Sequence, residues 1–84
     1  MNSIELKEIL MAEGYNSKHF SFDRRSPPLE GYILEMTGPR WTVFYFERGS
    51  TRDIANFESE YDACDYLYEK IKEGYGSVVR PIAH

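Results

Sequence analysis

Few side chains in this sequence are suited to covalent chemistry. The histidines are His19 and His84, and the single cysteine is Cys64. Neither histidine has a sequence partner that would complete an acid–base or nucleophilic set. Cys64 falls on the apolar side of a predicted helix, where a buried thiol is unreactive. We therefore expect no catalytic residues, and we predict that the protein is not an enzyme.

The sequence pattern also lacks a site for a metal or a phosphate group. No spacing of Cys and His matches a zinc site, and no glycine-rich loop would cradle a phosphate. Glu58, Glu60 and Asp62 offer the oxygen ligands that calcium accepts, but they lack the spacing and central glycine of an EF-hand loop. We predict neither a metal nor a cofactor.

The most distinctive stretch is ESEYDACDYLYE, residues 58–69. It holds five carboxylates and three tyrosines in twelve positions, with no Lys or Arg. The net charge of the chain is −4, so the acidity is concentrated here. A local negative charge attracts a basic partner and repels phosphate groups. The stretch therefore predicts a surface for a basic protein and no direct binding of nucleic acid.

Helical spacing places part of this stretch on one surface. Asp62, Tyr66 and Glu69 are spaced i, i+4 and i+7, which predicts that they point outward together. A tyrosine among carboxylates is typical of protein-binding surfaces, because it offers a large contact at low entropic cost. The alternative is a solvated helix face without a partner. In this prediction the acids pair with Lys or Arg of the partner, and Tyr66 is a central anchor. The predicted partner-binding residues are Glu58, Glu60, Asp62, Asp65, Tyr66 and Glu69.

A tight complex needs more surface than this helix offers. Stable protein interfaces bury about 1,600 Å² in total, which one helix cannot supply. Candidates to complete the interface are Arg24, Arg25 and Glu30 in a loop, or Glu47 and Arg48 at a strand end.

The first element that must position these residues is an N-terminal helix. Asn2 and Glu5 have the spacing of a capping box, in which each side chain satisfies a backbone N–H of the other residue. Gly14 is suited to the left-handed conformation that ends a helix. We predict a helix over residues 3–13.

The second helix carries the acidic stretch. Ser59 is a good N-cap, and Gly74 is a natural stop, so we predict a helix over residues 60–73. Its buried stripe is predicted from helical spacing. The residues of that stripe are Tyr61, Cys64, Leu67, Tyr68 and Ile71.

Three strands are predicted between the helices. They are separated by glycine-containing turns at Gly38-Pro39 and Gly49-Ser50. The middle strand is apolar on both faces, which predicts a central strand with cover on both sides. The strands are residues 32–37, 41–48 and 53–57.

Together these elements predict an α+β fold. We expect a two-layer sandwich in which an N-terminal and a C-terminal helix cover an antiparallel, three- to four-stranded meander, in the order α-β-β-β-α. The 84 residues are enough for one domain, with an ordered core over 3–73. The order of the tail over 75–84 is left open. Two short segments are candidate additional strands: residues 20–22, and Val78-Val79 before Pro81.

Composition indicates where the protein works. Hydrophobic residues make up 42% and charged residues 29%, which is ordinary for a globular chain. No apolar run approaches the roughly 20 residues of a membrane span. The first residues lack the basic and apolar regions of a signal peptide, and a single cysteine excludes an internal disulfide framework. We expect a protein of the reducing cytoplasm with no membrane partner.

The order of features resembles that of small bacterial immunity proteins. A helix ending in glycine is followed by YILEM, by WTVFYFERG, by a third short strand and by FESEYDACDYL. These runs look like the immunity proteins of polymorphic toxin systems, including contact-dependent growth inhibition systems and similar wall-associated toxins of Gram-positive bacteria. The resemblance covers residues 3–72.

The resemblance implies a function for the acidic helix. Such proteins are cytoplasmic, are not enzymes, and bind the C-terminal toxin domain of their own system, often covering its active site. The toxins are frequently nucleases, which are basic because they bind phosphate. No functional residue transfers by motif, so the site residues above follow from charge alone. The identity of the toxin and the oligomeric state stay open.

Two other classes of function stay open beside this one. A general interaction or regulatory module would bind a basic protein with no toxin involved. A small RNA-binding domain would need exposed aromatic residues framed by basic ones. Phe44 and Phe46 are expected in the core, and the net charge opposes RNA binding. Gene position separates the first two classes, because an immunity gene lies directly downstream of its toxin gene. An RNA-binding domain would be retained on RNA, and that retention would weaken steeply with salt.

Overall fold

The fold combines two helices with a four-stranded sheet. The computed structural model describes the backbone of residues 1–79 and the side chains of residues 1–75. The α+β class is confirmed, and the arrangement is consistent with two layers. In chain order the elements are α1 (Ser3–Ala12), a 3₁₀ turn (Ser17–His19), β1 (Phe20–Ser21), β2 (Gly31–Thr37), β3 (Arg40–Glu47), β4 (Ser50–Phe57) and α2 (Glu60–Val79).

The sheet has the strand order β1-β2-β3-β4 and is mixed. β2, β3 and β4 form the predicted antiparallel meander, whereas β1 runs parallel to β2. The prediction of a wholly antiparallel sheet is therefore wrong. β1 and β2 are parallel because the loop over residues 22–30 returns the chain to the end of the sheet where β1 began. The backbone N–H of Leu29 donates a hydrogen bond of 3.0 Å to the carbonyl oxygen of Lys18, which fixes the loop at this point.

β1 and the start of β2 approach each other closely. At Gly31, φ is +155° and an added Cβ would lie 2.0 Å from the carbonyl oxygen of His19. Real Cβ contacts are never this short, so only glycine fits at this position. The close approach lets the two-residue strand β1 pair with β2.

Tight turns extend the meander beyond its predicted bounds. The turn between β3 and β4 consists of Arg48 and Gly49, both with positive φ, as hairpins of two-residue loops prefer. This turn pairs Glu47 with Ser50, so β4 begins three residues before the predicted strand. The register shifts between Val43 and Phe44, which leaves one extra residue of β4 in a bulge.

One face of the sheet carries both described helices and the main core. Alternate residues of β2 and β3 meet apolar residues spaced three and four apart on the helices. Burial of these side chains supplies the main force that holds the two layers together. The buried members are Leu6, Leu10, Tyr15, Phe20, Leu34, Val43, Ala63, Cys64, Leu67 and Ile71.

The opposite face of the sheet is covered by the loop before β2. Ile33 and Phe44 are paired across the strands and are buried. The guanidinium of Arg24 lies 4.9 Å from the centre of the Phe44 ring, and its Nε lies 2.6 Å from Oε1 of Glu35 on the same face. Cover on both sides of the central strand is thus confirmed, although a loop provides it on this side.

α1 begins and ends close to the prediction. The Asn2 side chain accepts the N–H of Glu5 at 2.8 Å, and the Glu5 carboxylate accepts the N–H of Asn2 at 2.9 Å. The predicted capping box is confirmed. The helix ends at Ala12, and Gly14 follows with φ +92°.

α2 continues six residues past its predicted end. Gly74 lies inside the helix, and Val78-Val79 form its last residues, so the predicted stop and the predicted edge strand are both wrong. Tyr75 explains the extension, because its ring stacks on that of His19 with the ring centres 4.1 Å apart. This contact stabilises the helical turn that follows residue 73. Pro81 lies outside the described residues. Over the described part of the chain, neither helix is both long and apolar enough to cross a membrane.

Candidate functional site

The outward face of α2 presents an acidic surface. The hydroxyl of Ser59 accepts the N–H groups of Tyr61 and Asp62 at 3.1 and 3.3 Å, which confirms the predicted N-cap. Within the described residues, Asp62 and Asp65 form no ion pair. We define the acidic surface as the exposed carboxylates Glu58, Asp62, Asp65 and Glu69.

Salt bridges within the described residues neutralise little of the negative charge of the acidic surface. Glu69 has a cation nearby, with its Oε2 3.8 Å from Nζ of Lys72, but both side chains are largely exposed. Exposed pairs of this kind contribute little free energy and are easily exchanged for a partner's charge. Neighbouring carboxylates on one helix face repel each other by a few tenths of a kcal/mol per pair. A basic partner would relieve that repulsion.

Glu60 is turned away from the acidic surface. Its Oε2 accepts the backbone N–H of Ser3 at 2.8 Å, at the start of α1. α1 and α2 run parallel, since Glu13 near the end of α1 is bonded to Tyr68 of α2. An anion at a helix N-terminus is stabilising, so Glu60 joins the two helices. The structure places this predicted site residue in a structural contact.

Tyr66 also does not point outward as predicted. Its side chain is half-buried, and its ring centre lies 5.2 Å from that of Phe57 in β4. Nζ of Lys70 lies over the ring at 5.4 Å. The predicted outward orientation is wrong because this flank of α2 lies against β4. Tyr66 borders the acidic surface and is not at its centre.

Tyr61, and not Tyr66, is the exposed tyrosine at the start of α2. It is 59% exposed, so its predicted place on the buried stripe is wrong. The buried residues of α2 are Ala63, Cys64, Leu67 and Ile71. Tyr61 precedes Cys64 by three residues, so helical spacing alone did not reveal its exposure. Tyr68, seven residues later on the same side, is half-buried and reaches α1.

An apolar row that the sequence analysis missed leads to the start of α2. Met36, Trp41 and Phe57 are paired across β2, β3 and β4 on the helix-bearing face. Met36 is 53% exposed, and the other two are half-buried. Because Glu58 follows Phe57 directly, the row adjoins the acidic surface. The signal available in the sequence was apolar residues on both sides of the Gly38-Pro39 turn.

The residues predicted to complete the interface lie elsewhere. Arg24 is paired with Glu35 at 2.6 Å, on the opposite face of the sheet. Arg25 is paired with its neighbour Asp23 at 3.3 Å. Glu30 accepts a hydrogen bond of 3.2 Å from the Tyr45 hydroxyl. These side chains are not brought together with the acidic surface.

The strand-end pair is also remote from the start of α2. Glu47 and Arg48 lie at the turn between β3 and β4. Trp41, at the other end of β3, is paired with the residue that leads into α2. The length of β3 therefore separates Glu47 and Arg48 from the acidic surface.

Titratable groups near the site are held in unreactive states. Burial raises the pKa of the Cys64 thiol to about 11. The hydrogen bond to Glu13 raises the pKa of the Tyr68 hydroxyl to about 12. Both groups are therefore protonated at neutral pH and are poor nucleophiles. Among the residues that the structure describes, no three His, Cys, Asp or Glu side chains form a group that could hold a metal ion.

The arrangement has the features of a recognition surface. It joins a negatively charged helix face to a partly exposed apolar row, the composition expected of a protein interface. Comparison with protein-family models finds no match, and comparisons with curated proteins and with solved structures find none either.

Proposed function

We propose that this protein is an immunity protein that binds and neutralises a basic bacterial toxin domain. It acts as a stoichiometric inhibitor and not as an enzyme, and its partner is the C-terminal nuclease domain of its own toxin system. The cytoplasm is the proposed compartment. The supporting observation is the acidic surface, whose carboxylates face solvent with no basic residue between Glu58 and Glu69.

The proposed interface has an apolar centre and an acidic rim. Trp41 and Met36 would supply desolvated contact, since aromatic side chains dominate binding energy in such interfaces. Asp62 and Asp65 would pair with Lys or Arg of the toxin and raise the association rate. Tyr66 would contribute at the border through its exposed edge. In this proposal the two-layer sandwich serves as a rigid support for an immunity-type surface.

A basic nuclease fits this surface for a physical reason. Enzymes that bind nucleic acid carry a cationic groove for the phosphates. An acidic protein that occupies the groove competes directly with the substrate. The same charge explains why the proposed partner is the nuclease and not the nucleic acid.

The test is an activity assay on the cognate protein. The chain is purified together with the protein encoded immediately upstream of it, and the nuclease activity of that protein is measured with increasing amounts of the chain. We expect activity to fall to zero at a 1:1 ratio. Binding without loss of activity would instead support a general regulatory module, and absence of binding would contradict the immunity function.

A further inference from the structure

A concave site lies on the flank of α2 that faces β4. It is a cleft of about 430 Å³ between α2 and the strands β2, β3 and β4. Its volume falls within the range of roughly 300–1,000 Å³ that is typical of small-molecule sites. The lining residues are Tyr32, Tyr45, Arg52, Ile54, Tyr66 and Lys70.

Two cations converge on this cleft in a chain of net negative charge. The guanidinium of Arg52 lies 5.7 Å from the centre of the Tyr45 ring, and Nζ of Lys70 lies 5.4 Å from that of Tyr66. Within the described part of the chain, no carboxylate lies within 4.0 Å of the Arg52 guanidinium. Lys70 has a long contact of 3.9 Å with the exposed Glu73.

The tyrosine hydroxyls add further donors. In the described residues, the hydroxyls of Tyr32 and Tyr66 have no hydrogen-bond partner, whereas that of Tyr45 donates to Glu30 at 3.2 Å. None of the lining residues is a carboxylate. Guanidinium and ammonium groups donate and never accept, so the complementary ligand is an acceptor with negative charge.

The remaining lining suits an apolar or planar body. Ile54 contributes aliphatic surface, and the rings of Tyr32 and Tyr45 meet edge to face at 5.2 Å. Tyrosine rings bind planar groups by stacking. We propose that this cleft binds a small organic anion, a carboxylate or phosphate carried on a planar or apolar body. The site adjoins the acidic surface at Tyr66 and has the opposite charge.

The test is an NMR titration of the full chain with phenyl phosphate, benzoate and inorganic phosphate. We expect saturable amide shifts at the lining residues with phenyl phosphate or benzoate at millimolar concentration, and the tighter of the two names the anion. Loss of one charged hydrogen bond, in Arg52→Gln or Lys70→Gln, should weaken binding roughly tenfold. Tyr32→Phe should weaken it less, because it removes a neutral donor.

Matched variants separate this site from general electrostatics. Arg40→Gln and Lys72→Gln remove the same charges from β3 and α2 outside the cleft, and we expect binding to be unchanged in both. The proposal is overturned if neither organic anion saturates, or if the matched variants weaken binding as much as the cleft variants. Equal affinity for inorganic phosphate would overturn the role given to the apolar body.

Discussion

At the scale of single residues, a hydrogen bond from Tyr68 joins the two helices beside Glu69 of the acidic surface. The Tyr68 hydroxyl donates to the Glu13 carboxylate, with both oxygens at 2.8 Å. The residues are 55 positions apart in the chain, so this bond fixes the end of α1 against the middle of α2. Hydrogen bonds to charged acceptors are the stronger class in proteins.

Removing this hydroxyl should lower stability measurably. Tyr68→Phe keeps the ring and loses the bond, so we expect the free energy of unfolding to fall by about 1 kcal/mol at neutral pH. The measurement is urea denaturation followed by fluorescence. Tyr61→Phe is the control, because Tyr61 is exposed and should tolerate the change. Equal effects of the two variants would contradict the assigned contact.

The buried Cys64 predicts a loss of stability at high pH. Its pKa is raised from 9.0 to about 11 because burial disfavours the thiolate. The unfolded chain therefore ionises first, and the stabilising contribution is complete below pH 9.0 and is lost as the pH rises to about 11. The melting temperature of the natural protein should fall more steeply over this range than that of Cys64→Ala. If the melting temperatures of the two proteins fall equally with pH, ionisation of the Cys64 thiol does not contribute to the loss of stability.

The acidic residues show what sequence could predict at this scale. Exposure of Asp62 and Asp65 followed from helical spacing, as did burial of Cys64. The orientations of Glu60 and Tyr66 did not follow. Spacing gives the angle of a side chain about the helix axis, but not which element lies over that flank.

At the scale of elements, two glycines with the same sequence signal behave differently. Gly14 has φ +92° and follows the end of α1, whereas Gly74 lies inside α2. The helix passes Gly74 because Tyr75 stacks on His19, a contact between distant parts of the chain. Local sequence holds no information about that contact, so the C-terminal boundary could not be predicted.

Alanine at the two glycines should have opposite effects. At Gly74 an added Cβ meets nothing within 4 Å, so Gly74→Ala should stabilise the protein by about 0.5–1 kcal/mol through helix propensity. At Gly14 the positive φ strains any Cβ, and Gly14→Ala should destabilise it by about 1 kcal/mol. Both are measured by chemical denaturation. Destabilisation by Gly74→Ala would indicate that the helix ends before residue 74.

The parallel pairing of β1 shows a second limit of sequence at this scale. The meander from β2 to β4 followed from alternation and turn residues, which are local signals. β1 has two residues, and its direction depends on where the loop over 22–30 returns the chain. That loop is fixed by Arg24 on Phe44 across the sheet, a contact that no local pattern encodes.

At the scale of the whole molecule, charge is divided between two sides of α2. The acidic surface faces solvent, and the cationic cleft, which contains Arg52 and Lys70, lies between α2 and the sheet. A net charge of −4 conceals this division. The proposed basic partner and the proposed small anion would therefore pair with different charged groups of one small domain, with Tyr66 at the border of the two sites.

The most direct test of the central claim is the binding of the upstream-encoded protein to a charge-reversed acidic surface. Asp62→Lys combined with Asp65→Lys should slow association at least tenfold at low ionic strength, and salt should shrink the difference. Asp53→Lys combined with Glu47→Lys makes the same change of charge on the sheet, away from the acidic surface, and should leave association nearly unchanged. If the acidic-surface variant binds as fast as the natural protein, or if both variants slow equally, the acidic surface is not the interface.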